Sequence, residues 1–77
     1  MLFLIEYDRK RGAIVSLRTF TESETKDAGN ARLELELELN RREQEHEVVI
    51  LDAASEDAVR RTHRRYFENL SELMKAP

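Results

Sequence analysis

Residues 33–39 read LELELEL, four leucines and three glutamates in strict alternation. Alternation is the period of a strand with one apolar face. Residue type points the other way, because leucine and glutamate are good helix formers and the run has no β-branched or aromatic member. Upstream, Thr21-Glu22-Ser23-Glu24 has the form of a capping box, with Thr21 to cap and Glu24 to reach back. A helix begun there places Ala28, Ala31, Leu35 and Leu39 on one stripe. Gly29 opposes it, at about 1 kcal/mol relative to alanine in a helix interior, and Ala28-Gly29-Asn30 also reads as a turn. A strand over 31–39 would instead make 40–45 a hairpin loop. It would also leave 21–30 as an irregular connection longer than is usual between elements. The balance predicts a helix over about 22–43. Leu33 and Leu37 then lie roughly 140–180° from the Ala28 stripe. Two outward leucines one turn apart are candidates for a contact surface.

On either side of this segment the pattern changes. Residues 2–7, LFLIEY, and 13–20, AIVSLRTF, are rich in β-branched and aromatic residues, and Asp8-Arg9-Lys10-Arg11-Gly12 between them reads as a turn. A hairpin over 2–20 follows. Alternation puts Phe3, Ile5 and Tyr7 on one face with Val15 and Leu17. Leu2, Leu4 and Glu6 fall on the other, with Ile14, Ser16 and Arg18. Residues 46–52, HEVVILD, form a third strand, whose four consecutive apolar residues imply burial on both faces. Ser55 then caps a helix over about 55–67, with Glu56 and Asp57 in its first turn, where carboxylates favour the dipole. Val59, Thr62, His63, Tyr66, Leu70 and Leu73 cluster on one side, with a break expected near Asn69 and a C-terminal segment over 68–77.

The implied fold is α+β, in the order β-β-α-β-α. Its expected form is a three-stranded antiparallel sheet of order 2-1-3 with two helices on one face, half of a ferredoxin-like layout. That arrangement leaves Leu2, Leu4 and Ile14 without a helix over them. A second copy of the chain is the economical cover, so Leu33, Leu37, Leu2, Leu4 and Ile14 are the candidate interface of a homodimer. The competing cover is the C-terminal segment folding back.

All 77 residues read as one domain, and at that length a chain buries only roughly 60–65% of the surface its unfolded form exposes. Cysteine is absent, which removes disulfides and thiolate metal sites as staples and leaves packing or self-association. The first apolar run stops at Ile5 with no basic stretch before it, unlike a secretory leader, and no stretch approaches the roughly 20 apolar residues of a membrane span. A cytoplasmic protein without a membrane partner is the expectation.

Motifs that carry chemistry are few. With Gly12 and Gly29 as the only glycines there is no phosphate-binding loop and no dinucleotide fingerprint. His46 and His63 lie on different elements with no ligand-like spacing, so no metal or cofactor is implied. The densest cluster is RRTHRRYF over 60–67. Thr62, His63 and Tyr66 could line one small ligand site there, with His63 as acid or base. The simpler reading makes His63 and Tyr66 partly buried residues with satisfied polar tips.

Net charge is −3, from 13 basic and 16 acidic residues, which disfavours nucleic acid as a partner of the whole surface. Local patches differ in sign. Arg60, Arg61, Arg64 and Arg65 with Arg9, Lys10 and Arg11 form a candidate polyanion surface, provided that the fold brings the two groups together. Glu34, Glu36 and Glu38 make the helix over 22–43 acidic. The leading expectation is a small non-enzymatic interaction or regulatory module acting as a homodimer. A nucleic-acid-binding accessory protein is second, and a ligand binder or enzyme at His63 and Tyr66 third.

Overall fold

The computed structural model describes residues 1–67, with the side chain of Arg65 excepted; the expected break near Asn69, Leu70, Leu73 and the C-terminal segment lie outside the described residues. Strands β1 (Leu2–Asp8) and β2 (Ala13–Phe20) form the hairpin. Helix α1 (Thr25–Arg41) follows a single 3-10 turn at Glu22–Glu24, and strand β3 (His46–Asp52) follows α1. Two short helices, α2 (Glu56–Thr62) and α3 (Arg64–Phe67), close the described chain. The sheet has the order β2-β1-β3, and both pairings are antiparallel.

LELELEL is helical, and its neighbours explain why. Glu24 accepts hydrogen bonds from the Thr21 N–H at 2.9 Å and the Thr21 hydroxyl at 3.0 Å, tying down the start of the helical segment. These two donors, the backbone one first, hold the Glu24 carboxyl below the usual range. Along α1, Ala28 and Leu39 are buried and Ala31 and Leu35 half-buried, whereas Leu33 and Leu37 stand 56% and 60% exposed. Arg32 pairs with Glu36 one turn on at 2.8 Å, and Glu38 takes both Arg41 and Arg42. The helix ends in a Schellman motif. Gln44 N–H bonds the Leu39 carbonyl at 2.9 Å and Glu43 N–H bonds the Asn40 carbonyl at 3.1 Å. Glu43 occupies the left-handed position at φ 56°, where glycine is the usual residue.

The class, element order and strand order are as expected; the placement of the helices is not. Leu2, Leu4 and Phe20 cluster with Ala28 of α1, and Ala31, Val48 and Ile50 pack around them. Phe3 and Ile5 cluster with Val59 of α2 and Tyr66 of α3, ringed by Tyr7, Ile14, Leu17, Val49 and Leu51. The helices therefore lie on opposite faces of the sheet rather than on one. The reason lies in β1, whose first four residues are all buried. A central strand with apolar side chains on both faces leaves one set in water unless each face is covered.

Leu2 and Leu4, 8% and 2% exposed, lie under α1 and are not an interface. Ile14 is not on their face at all. The β1–β2 register slips between Glu6 and Tyr7, so Glu6 faces Ser16 but Tyr7 faces Ile14. Val15 becomes the extra residue of a bulge and is exposed, while Ile14 moves to the Phe3–Ile5 face with Leu17. The third helical segment also differs from a continuous run. His63 leaves helical geometry at φ −126°, ψ 51°, and separates α2 from α3.

Urea unfolding of point variants checks this account of α1. A methyl group at Gly29 meets nothing within 4 Å, so Gly29→Ala should gain about 0.5–1 kcal/mol. Glu43→Gly relieves a left-handed conformation worth roughly 1–2 kcal/mol but adds glycine's entropy of roughly 0.5–1 kcal/mol, for a net gain of about the same size. Leu37→Glu should be silent within about 0.5 kcal/mol. A large loss at Leu37 would mean that the chain covers that face.

Candidate functional site

The hairpin turn is held by Asp8. Its Oδ1 accepts the N–H groups of Lys10 at 3.0 Å and Arg11 at 3.2 Å, and its carbonyl accepts the N–H of Gly12 at 2.8 Å. Gly12 supplies the positive φ, 65°, that closes the loop. The backbone N–H of Arg11, and then that of Lys10, hold the Asp8 carboxyl below the usual range. The charges of His46 and Arg11 act in the same direction, and partial burial acts against them.

Antiparallel pairing sets His46, the first residue of β3, opposite Asp8. Nδ1 of His46 hydrogen-bonds Glu6 Oε2 at 2.5 Å, and its Nε2 lies 3.6 Å from Asp8 Oδ2. Ser16 donates to the other oxygen of Glu6 at 3.4 Å. Glu6 is only 8% exposed, at the end of the layer that holds Leu2 and Leu4. Sequence reading passed over this cluster because its members are forty residues apart and His46 has no ligand-like spacing. The signal that could have found it is strand parity. Leu2, Leu4, Glu6 and Asp8 share one face of a central strand, so a carboxylate there needs a partner from a neighbour. Both ring nitrogens of His46 are turned toward carboxylates, which suits a clamp between β1 and β3. Among the described residues no group of three or more His, Cys, Asp or Glu side chains is placed to hold a metal ion.

The cluster that the sequence singled out is split by the fold. Tyr66 is buried, packs edge-on against Tyr7 with centroids 5.1 Å apart, and donates its hydroxyl to Glu47 at 2.9 Å. The His63 ring is half-buried and lies 6.3 Å from that of Tyr66. Thr62 is exposed and returns its hydroxyl to the Ala58 carbonyl of its own helix at 2.9 Å. Two of the three residues are thus adjacent, and the phenol is engaged in packing and hydrogen bonding.

Glu47 also joins the two basic groups, because Arg9 Nε lies 3.5 Å from its second oxygen. The chain Tyr66–Glu47–Arg9 sets the hairpin turn beside α3. Arg9, Lys10 and Arg11 of the turn, Arg61 of α2 and Arg64 of α3 are exposed, while the side chain of Arg65 lies outside the described residues. Arg60 is also exposed, but it pairs with Glu56 on its own helix at 2.9 Å and lies over the Phe67 ring at 4.6 Å. An open groove between β2 and the two short helices is lined by Ile14, Leu17, Arg60, Tyr66 and Phe67. Comparison with protein-family models, curated protein sequences and solved structures finds no match for this chain.

The depressed Asp8 carboxyl has a consequence for acid stability. Its contribution is present above the ordinary carboxylate range, near pH 4, and is lost as pH falls through the lower folded value. Asp8→Asn keeps an acceptor for the turn but removes the charge. Its urea midpoint should therefore fall less steeply than that of the wild type below about pH 4. Parallel curves would mean that folding does not depress Asp8.

Proposed function

We propose that this chain is a small non-enzymatic interaction module that works as a homodimer and offers the outward face of α1 to a protein partner. The observation that carries the reading is the apolar surface left open on regular elements. The chain covers both faces of its own sheet, yet Leu33 and Leu37 stand out one turn apart on α1, and among the described residues β3 keeps an open apolar edge. Lone exposed leucines are ordinary, but an adjacent pair beside an open strand edge suits contact with another chain. The candidate acid–base groups support the non-enzymatic part. The Tyr66 hydroxyl is engaged by Glu47, and the His46 ring lies between two carboxylates. Among the described residues no helix is long and apolar enough to cross a membrane.

Sedimentation equilibrium over a wide concentration range tests the reading. A reversible dimer is expected, and a monomer throughout would overturn it.

Binding of a nucleic-acid backbone is the second reading. It is favoured by the link through Glu47 between Arg9 of the hairpin turn and Tyr66 of α3, which brings the basic turn toward the short helices. The net charge of −3 and the acids within the patch, Asp8 and Glu47, oppose it. Filter binding of RNA and DNA at low salt decides. Non-specific binders reach dissociation constants of about 10⁻⁴–10⁻⁶ M, so no retention at tens of micromolar removes this reading, and real retention should weaken steeply with salt.

A further inference from the structure

We propose that the open edge of β3 is the twofold interface of the homodimer, with two copies pairing β3 to β3 antiparallel and Val49 on the axis. The inference rests on the homodimer reading above and names its surface.

The two edges of the sheet are unlike. On β2, the bulge at Val15 breaks the regular ladder, and Arg18 is exposed with its guanidinium over Phe20 at 5.1 Å. Bulges and basic side chains are the usual devices that keep an edge from pairing with another chain. β3 has neither. It pairs with β1 in unbroken register from His46 to Asp52, and it contains no lysine, arginine, proline or glycine. Among the described residues no strand pairs with its outer edge, which presents backbone donors and acceptors in a regular row. Val48 and Ile50 pack into one core layer and Val49 and Leu51 into the other, and all four remain only half-buried. A strand added at this edge would extend both apolar layers together.

The chemistry of the strand selects a second copy as that strand. A twofold contact must be self-complementary, so residue i meets residue 98 − i when Val49 lies on the axis. His46 then faces Asp52 of the other copy, Val48 faces Ile50, and Glu47 faces Leu51. Moving the axis to Val48 sets His46 against Ile50 and Glu47 against Val49. Moving it to Ile50 sets Asp52 against Val48. Each of these registers sets Glu47 against an apolar residue, but only the one centred on Val49 places the imidazole of His46 opposite the Asp52 carboxylate and keeps Val48 and Ile50 together. The product is a continuous sheet of six strands, with β2 at both outer ends.

The absence of cysteine makes the test clean. Directly opposed residues of antiparallel strands have Cα atoms about 4.5–5.5 Å apart, within the roughly 4.4–6.8 Å that a disulfide spans. Val49→Cys should therefore form a covalent dimer under oxidised glutathione. It should do so at least about tenfold faster than Leu37→Cys or Val15→Cys, because only its thiols are held at high effective concentration. Circular dichroism verifies the fold of each variant. If Val49→Cys does not fold, the double variant Val48→Cys with Ile50→Cys reports the same axis. Sedimentation equilibrium of the wild type runs alongside. A monomeric wild type overturns the homodimer reading and this inference with it. A dimeric wild type in which the strand variants cross-link no faster than the other two overturns this inference alone. Fastest cross-linking from Leu37→Cys would move the axis to α1 and overturn it as well.

Discussion

Everything in this fold is arranged around β1. It is the middle strand, and its first four residues, Leu2, Phe3, Leu4 and Ile5, alternate between two faces with no polar side. Helices close both of its faces. One long helix covers Leu2 and Leu4, and two short ones cover Phe3 and Ile5. Burial of such side chains is worth about 1.5–3 kcal/mol each, against about 0.3–0.5 kcal/mol for an exposed ion pair on α1, so the hydrophobic term settles the layout.

The same strand carries Glu6, the one buried carboxylate among the described residues of its layer. Glu6 follows Leu2 and Leu4 in parity and would be costly without a partner. His46 supplies the partner and Asp8 flanks it, which makes the cluster a register pin. A two-residue slip carrying His46 toward the hairpin turn would keep the apolar faces aligned but leave Glu6 among Val48 and Ile50. Hydrophobic pattern alone does not separate such registers, and a buried polar contact does. The bulge at Val15 acts at the same end of the sheet. It keeps Ser16 opposite Glu6 while returning Ile14 to the apolar layer beneath Tyr7.

Closing both faces changes where association can take place. With Leu2, Leu4 and Ile14 engaged in the core, the outward side of α1 and the edge of β3 are left uncovered among the described residues. These differ in kind. Leu33 and Leu37 offer side chains only, whereas β3 offers a row of backbone groups flanked by apolar residues of both layers. Backbone pairing is directional and fixes a register, so it suits a symmetric contact; a leucine pair on a helix imposes much less.

The residues by themselves determined the α+β class, the order of the elements and the antiparallel 2-1-3 sheet. They also determined that α1 would be a helix with leucine on two sides, because helix propensity, the Thr21–Glu24 start and the Ala28–Leu39 stripe agree locally. Tertiary structure decided what depends on contacts between distant segments. The short connection after β3 is compatible with either face, and only the need to cover Phe3 and Ile5 sent α2 to the side opposite α1. The bulge that moved Ile14 is invisible to strict alternation. The Glu6–His46–Asp8 cluster came into being only when β3 was laid beside β1, since no local spacing links residues forty positions apart. Local propensity acts over a few residues and can be read along the chain; burial is a property of pairs of surfaces and exists only once they meet.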